Sequence, residues 1–259
     1  MERSKRKFLK IAGISAVGLG MSPALKGFAE QAGPKAVLGR AEKALTARHW
    51  GMVIDTRRLK TYRDIKPLIE ACHRIHNVPE IANEDHEIKW LWAEPYEHAF
   101  PSKENKYLDE RMELQLFPVL CNHCEDPPCV RVCPTKATFK REEDGIVMMD
   151  MHRCIGCRFC MAGCPYGSRS FNFRDPRPFI PEINKEYPTR MKGVVEKCNF
   201  CAERLAQGKM PGCVEASNGA LVFGDLDDPN SEIRKVLREN YTIRRKQALG
   251  TGPSVYYIV

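Results

Sequence analysis

The chain has 259 residues, of which 43% are hydrophobic, so it can bury a core and is not a disordered chain. Its formal net charge is +8, but six Lys/Arg and one Asp/Glu in residues 1–29 account for +5, which excludes a strongly basic nucleic-acid-binding body. Eleven of the twelve cysteines fall into three tight groups. Such groups are typical of disulfides in an oxidising compartment or of metal sites.

The first 29 residues have the outline of an export signal. A basic stretch precedes an uncharged run, Ile11 to Leu25, which at 15 residues is shorter than the roughly 18 to 20 that span a bilayer. A small-x-small cleavage site follows at residues 27–29. The segment SKRKFLK resembles the twin-arginine motif S-R-R-x-F-L-K, with lysine in place of the first arginine. We expect export to the periplasmic face of the membrane with the signal removed or retained as an anchor; the alternative is a plain basic tail.

Two cysteine motifs have the spacing of ferredoxins. The group that begins at Cys121 reads C-x2-C-x4-C-x3-C-P, and the group that begins at Cys154 reads C-x2-C-x2-C-x3-C-P, the bacterial ferredoxin run. Thiolates two residues apart can occupy three corners of an iron-sulfur cube while backbone N–H groups face its sulfides. The last cysteine of each motif, followed by Pro134 or Pro165, binds the other cluster. Zinc is the structural alternative, but it usually takes two separated C-x2-C pairs.

The exchange of last ligands assigns these eight cysteines to two [4Fe-4S] clusters. Site 1 consists of Cys121, Cys124, Cys129 and Cys164, and site 2 consists of Cys154, Cys157, Cys160 and Cys133. A third group contains only Cys198, Cys201 and Cys213, and Ser217 stands where a fourth thiol would complete it. The residues alone leave this third group incomplete.

From about Trp50 to Asp225 the chain resembles the four-motif ferredoxin-type iron-sulfur subunits of molybdopterin oxidoreductases and quinone-linked membrane complexes. In that family the first motif pairs with the fourth and the second with the third. Only Cys72 remains where the first motif belongs. The resemblance implies that Cys72 completes a third [4Fe-4S] cluster, and that the partner cluster has lost all of its ligands. The proposed site 3 is Cys198, Cys201, Cys213 and Cys72. The alternatives are that Cys72 is a buried apolar residue and that Ser217 is an oxygen ligand.

Within this family the loops EACHRIHNVP, EIKWLW and CVEASNGALVFGDLDDP are most similar to the periplasmic iron-sulfur subunits of complexes associated with dissimilatory sulfite reductase. The resemblance implies an electron-carrying subunit rather than an enzyme. Three [4Fe-4S] clusters would connect a cytochrome or catalytic partner with a polytopic, quinone-interacting membrane subunit. A c-type cytochrome and other redox subunits are the implied partners, without nucleic acid. The alternative is the beta subunit of a molybdopterin oxidoreductase.

We expect an α+β fold in which two nested ferredoxin-like modules with short strands, short helices and long loops occupy residues 50–225. A linker, 30–49, precedes them and a C-terminal extension, 226–259, follows. Strands are predicted at 50–58 and 220–225 from their apolar runs. Residues 136–150 predict a hairpin that turns at Asp144-Gly145 and feeds the second cysteine motif.

Three further segments have predicted roles. We expect a short helix at 67–75 and another after Pro229, capped by Asp228. The tail, 255–259, is expected to pair with the chain's own sheet or with a partner's strand. The insertion 80–117 is either a docking surface or a lid over the side of the missing cluster. Its aromatic residues are Trp90, Trp92, Tyr96, Phe100, Tyr107 and Phe117.

Overall fold

The computed structural model describes residues 43–103 and 106–259. The predicted export signal and most of the predicted linker lie outside the described residues. In those two ranges no helix has both the length and the apolar composition needed to cross a membrane. The described chain combines short strands and short helices with long connections, which confirms the predicted α+β class.

Ten strands and eight α-helices can be followed in the described ranges. The strands are β1 (Trp50–Asp55), β2 (Leu91–Pro95), β3 (Leu116–Leu120), β4 (Thr138–Lys140), β5 (Val147–Met149), β6 (Ser170–Phe171), β7 (Val195–Glu196), β8 (Leu221–Asp225), β9 (Thr242–Ile243) and β10 (Val255–Ile258). The helices are α1 (Tyr62–Ile75), α2 (Tyr96–Ala99), α3 (Glu110–Leu114), α4 (Pro128–Arg131), α5 (Phe159–Ala162), α6 (Ala202–Leu205), α7 (Gly212–Glu215) and α8 (Glu232–Glu239). Most are brief because Pro and Gly interrupt the chain at short intervals.

A four-stranded sheet with the order β8-β1-β10-β9 forms the scaffold. β1 pairs antiparallel with β8 and parallel with β10, so that Met52 lies opposite both Phe223 and Val255. Met52 and Ile54 are fully buried, as expected for a central strand with an apolar sequence. The tail therefore pairs with the chain's own sheet, and β10 ties the extension 226–259 to the same core as the cysteine motifs.

The predicted hairpin leads into the second cysteine motif. β4 pairs with β5, with Thr138 opposite Met149 and Lys140 opposite Val147. Gly145 has a φ of +76°, a left-handed conformation that glycine adopts without strain. Two more antiparallel pairs, β2 with β3 and β6 with β7, flank the cysteine loops.

Helix α1 is longer than the helix predicted at 67–75, because a capping box starts it earlier. The Asp64 carboxylate accepts a hydrogen bond from the backbone N–H of Thr61 at 2.9 Å. The buried face consists of Ile65, Leu68 and Cys72, at the spacing of an amphipathic helix. This periodicity places Cys72 in the interior.

The aromatic insertion packs mainly inside the molecule. Five of its aromatic side chains are at most 9% exposed, namely Trp90, Trp92, Tyr96, Phe100 and Phe117. Phe100 and Phe117 meet edge to face with ring centroids 5.3 Å apart. Trp90 stacks on His76, the residue after α1, at 4.5 Å. Tyr107 is 82% exposed. The five buried rings therefore belong to the core and are not accessible as docking anchors.

The C-terminal helix begins one turn later than predicted. Ser231, not Asp228, occupies the N-cap position of α8. The Asp228 carboxylate accepts a hydrogen bond from the backbone N–H of Asn230 at 2.9 Å. It therefore closes a local turn ahead of the helix, which explains why the predicted cap was wrong.

Candidate metal centres

The four cysteines of site 1 line one cavity, together with Pro127, Val147 and Arg169. Strand β3 ends at the residue before Cys121, α4 carries Cys129, and Cys164 follows α5. Thiols from two separate motifs therefore meet across this cavity.

The four cysteines of site 2 line a second cavity, with Ala137, Met149 and Val195 among its apolar walls. Cys133 reaches it from the end of the first motif, and the other three come from the second motif. The backbone N–H of Thr138 donates to Cys133 Sγ at 3.5 Å. Burial opposes the thiolate form of Cys133, but this and further hydrogen bonds lower its pKa below the usual value.

The thiols assigned to site 3 are all buried, and the structure brings Cys72 beside the other three. Burial raises the pKa of Cys72 well above its usual range, and repulsion from Cys198, Cys201 and Cys213 raises it further. Helix α1 carries Cys72 and packs on α7, which carries Cys213. Gly212 makes this close packing possible, because a Cβ there would overlap Cδ1 of Ile75.

The three cysteine loops share one backbone conformation at one position. The residue before the second cysteine of each C-x2-C pair has positive φ: His123 at +42°, Gly156 at +69° and Phe200 at +54°. Left-handed residues in such loops turn successive backbone N–H groups toward one point, which suits an anionic group. The Phe200 N–H donates to Cys198 Sγ at 3.4 Å. The repeated geometry fits the predicted role of all three loops as cluster-binding loops.

Site 1 lies between the other two. Burial raises the pKa of Cys198, and repulsion from the thiol of Cys121 in site 1 raises it further. On the other side, Cys129 of site 1 and Cys160 of site 2 share a hydrophobic cluster. The sites therefore follow the order 3, 1, 2 through the molecule. The rings of His123 and Phe200 stack at a centroid distance of 3.7 Å between sites 1 and 3.

The thiols are unpaired, and eight of the twelve are buried. All twelve cysteines are free, so the disulfide alternative does not describe this structure, and the described range contains all of them. Burial raises the pKa of Cys124 to about 12 and that of Cys213 to about 12. Metal ions bind the thiolate form, so metal binding here must release protons. Four thiols around one cavity form a donor set that suits a [4Fe-4S] cluster.

Two buried cations beside the sites were missed by the sequence analysis. Arg169 is 5% exposed, and its Nη2 lies 3.0 Å from Cys129 Sγ. Lys197 is 2% exposed, and its Nζ donates to the carbonyl of Cys198 at 2.6 Å. No apolar run marks either residue in the sequence, because Arg169 stands between Ser168 and Ser170 and Lys197 directly follows Glu196.

Ser217 is engaged in local hydrogen bonds. Its hydroxyl donates to the carbonyl of Val214 at 2.7 Å and accepts from the backbone N–H of Leu221 at 3.0 Å. It closes the turn between α7 and β8. These contacts give no support to the alternative of an oxygen ligand.

The buried His76 and the partly exposed Glu203 form a pair beside site 3. His76 Nε2 lies 2.9 Å from a carboxylate oxygen of Glu203, and His76 Nδ1 lies 2.8 Å from the carbonyl oxygen of Cys72. Ligand atoms of His76, Glu203 and Cys201 lie within 4.8 Å of one another. Because Cys201 also belongs to the thiol set, this pair supports site 3 rather than forming a separate centre.

Clustered thiols on a scaffold of short strands and short helices define a ferredoxin-type iron-sulfur protein. A family model described as a 4Fe-4S dicluster domain matches residues 112–176. The chain is 41% identical to the Hdr-like menaquinol oxidoreductase iron-sulfur subunit 1 of Archaeoglobus fulgidus, over 98% of this chain and 97% of the relative. It is 34% identical to the menaquinone reductase iron-sulfur cluster-binding subunit of Nitratidesulfovibrio vulgaris, over 81% and 88%.

A shorter match links the chain to a putative iron-sulfur subunit of dimethyl sulfoxide reductase from Halobacterium salinarum, 45% identical over 57% of this chain and 56% of the relative. The match to the Archaeoglobus subunit extends over nearly the whole length of both proteins. The chain therefore belongs to the family of ferredoxin-type iron-sulfur subunits of oxidoreductase complexes, and it binds [4Fe-4S] clusters.

Proposed function

We propose that this subunit holds three [4Fe-4S] clusters, at sites 1, 2 and 3, and relays electrons between a quinone-interacting membrane subunit and a cytochrome or catalytic partner. The observation that carries the proposal is the order of the sites. Twelve thiols form three sets in the sequence 3, 1, 2, with site 1 adjoining both neighbours. A chain of adjacent redox sites is the arrangement that electron relay requires.

The residues around the sites have definable tasks in this proposal. A [4Fe-4S] cluster supplies one-electron redox chemistry when bound. The thiolates would hold it, and backbone N–H groups such as that of Phe200 stabilise their negative charge. The stacked rings of His123 and Phe200 exclude water between sites 1 and 3. Burial, hydrogen bonds to sulfur and nearby charge are the means by which a protein sets cluster potentials.

Exposure distinguishes the two ends of the relay. The four thiols of site 3 are all buried, whereas Cys133, Cys154 and Cys157 of site 2 are partly exposed. Ile155 is 67% exposed and Phe159 is 59% exposed, and both belong to the site 2 loop. We assign the exchange of electrons with a partner subunit to this apolar face of site 2.

The names of the relatives support a quinone-linked complex. The Archaeoglobus and Nitratidesulfovibrio proteins are named as subunits of a menaquinol oxidoreductase and a menaquinone reductase. The twin-arginine-like segment supports a periplasmic location. The loops EACHRIHNVP, EIKWLW and CVEASNGALVFGDLDDP support membership of the periplasmic subunits of the sulfite-reductase-associated (Dsr) complexes, and hence a link to sulfate or sulfite respiration.

The second candidate is the beta subunit of a molybdopterin oxidoreductase. The match to a putative iron-sulfur subunit of dimethyl sulfoxide reductase favours it, although that match spans only 57% of the chain. Affinity purification of the full complex separates the two candidates. A polytopic membrane subunit and a c-type cytochrome support the first, and a molybdopterin subunit supports the second.

The cluster number is tested by iron and acid-labile sulfide analysis of anaerobically purified protein, beside Cys72→Ala. We expect about 12 irons per chain in the parent protein, which is four for each of three clusters. Cys72→Ala should lose or degrade one cluster only. About 8 irons in both proteins would show that site 3 holds no cluster.

A further inference from the structure

Arg169 is a buried cation that has no carboxylate partner among the residues that the structure describes. Its Nη2 contacts Cys129 Sγ at 3.0 Å, and its Nη1 donates to Thr138 Oγ1 at 2.9 Å. The sulfur of Met149 lies 3.9 Å from Nη1. Arg190, which is buried to the same degree, has the carboxylate of Glu196 at 2.7 Å from its Nε. Within residues 43–103 and 106–259, the hydrogen-bond partners of the Arg169 side chain are sulfur and hydroxyl groups.

The side chain lies where sites 1 and 2 meet. On one side its Nη2 contacts Cys129 of site 1. On the other side its Nη1 contacts Thr138, whose backbone N–H donates to Cys133 Sγ of site 2. Nη1 also lies near the sulfur of Met149, which lines the site 2 cavity. The Arg169 guanidinium is therefore a positive charge beside the thiols of both site 1 and site 2.

The backbone around Arg169 is fixed on both sides. The hydroxyl of Ser168 donates to the carbonyl of Leu120 at 3.1 Å. The hydroxyl of Ser170 accepts from the backbone N–H of Lys89 at 2.8 Å. These contacts hold the guanidinium between the two sites and leave it little freedom to reach solvent.

A buried charge is unfavourable unless an opposite charge balances it. A four-thiolate cluster is anionic, and each one-electron reduction adds one negative charge to the site. The guanidinium stays protonated at all relevant pH values, so no proton moves with the electron at this residue. The one-electron donor is a redox group of the partner subunit, or dithionite in a titration.

Resting on the proposed function, we propose that Arg169 is a positioning residue for electron transfer: the shared counter-cation of sites 1 and 2. It raises the reduction potential of both sites. It also weakens the repulsion between them when both are reduced, so that this half of the relay can hold two electrons at once. Site 3, on the far side of site 1, is outside its direct contacts.

The test is a dithionite titration of the purified protein, followed by electron paramagnetic resonance, with iron content measured on every sample. The signal that disappears in Cys72→Ala identifies site 3. In Arg169→Gln we expect the equilibrium constant for reduction to fall about tenfold at site 1 and at site 2. For a one-electron step this lowers each reduction potential by about 59 mV. The site 3 potential should stay unchanged in the same sample. Arg169→Lys keeps the charge and should recover most of the shift.

Arg245→Gln is the matched control. Arg245 is 3% exposed, its Nε donates to the carbonyl of Ala99 at 2.9 Å, and its guanidinium carbon lies 5.7 Å from the centre of the Tyr166 ring. This variant also removes a buried guanidinium but should leave the site 2 potential unchanged. Equal shifts at all three sites in Arg169→Gln, or no shift with full iron, would overturn the proposal.

If Arg169→Gln loses iron, Arg169→Lys decides the question. If Arg169→Lys retains full iron, we expect its equilibrium constants for reduction to change by less than tenfold at sites 1 and 2 and not at all at site 3. An equal change at site 3 would overturn the proposal. A parent protein with about 8 irons would contradict the three-cluster function and still allow this titration, because sites 1 and 2 alone are compared.

Discussion

Gly212 of α7 packs directly against Ile75 at the end of α1, and a methyl group on Gly212 would overlap the Cδ1 atom of Ile75. This contact holds Cys213, the neighbour of Gly212, against the helix that carries Cys72. The geometry of site 3 therefore depends on one missing side chain.

We expect Gly212→Ala to separate α7 from α1, with a cost of about 1–3 kcal/mol for overpacking and a loss of about one cluster of iron. Iron analysis and the rate of cluster bleaching in air measure the effect. Ile75→Val removes Cδ1, so the double variant Gly212→Ala/Ile75→Val should recover the iron. No rescue in the double variant would show that the contact does not position site 3.

Glu196 is the buried centre of a polar network. It is fully buried, and its carboxylate accepts from Trp90 Nε1 at 3.0 Å and from Asn172 Nδ2, and it pairs with Arg190. Breaking a buried ion pair leaves an uncompensated charge, so Glu196→Gln should destabilise the protein by about 3–5 kcal/mol. Thermal unfolding under anaerobic conditions measures the loss.

The exposed pair Arg177–Asp175 provides the control for that prediction. Arg177→Gln should change stability by no more than about 0.5 kcal/mol, because water screens this pair. Similar losses in both variants would mean that the Glu196 network does not stabilise the fold beyond an ordinary surface contact.

The apolar face of site 2 predicts a surface variant that affects transfer but not assembly. Ile155→Glu should lower the rate of electron exchange with the partner complex about tenfold, because an added charge disrupts docking while the thiols stay in place. Stopped-flow reduction by the purified partner measures the rate, and iron content should be unchanged. Tyr241→Glu, at a residue 74% exposed and remote in sequence from the cysteine motifs, is the control. Equal rates of electron exchange in Ile155→Glu and Tyr241→Glu would show that the partner does not exchange electrons at site 2.

Restoring a thiol at Ser217 should not restore the absent fourth cluster. In the proposed three-cluster arrangement the other three ligands of a fourth cluster are missing, and the Ser217 hydroxyl holds the turn after α7. We expect Ser217→Cys to keep about 12 irons per chain and to lose about 1 kcal/mol of stability from the broken hydrogen bonds. An increase to about 16 irons would contradict the deletion of the whole site.

Several elements were predictable because their causes are local. The hairpin at Gly145 follows from turn chemistry, and β1 and β8 follow from apolar runs. The cap of α8 was predicted at the wrong residue, because two residues that favour caps, Asp228 and Ser231, lie three positions apart and only the turn geometry selects one. Only the tertiary structure could show which strand the tail pairs with, since an apolar strand can pair with any unpaired sheet edge.

The sequence by itself determined that this chain is a ferredoxin-type iron-sulfur protein, because C-x2-C spacing is a local requirement of cluster geometry. Only the tertiary structure decided that Cys72 lies beside Cys198 and Cys201, that five aromatic rings of the insertion turn inward, and that Arg169 stands between sites 1 and 2. These relationships join residues far apart in the chain. Their cause is the packing of α1, the insertion and β6 around a common core, which no local pattern of residues records.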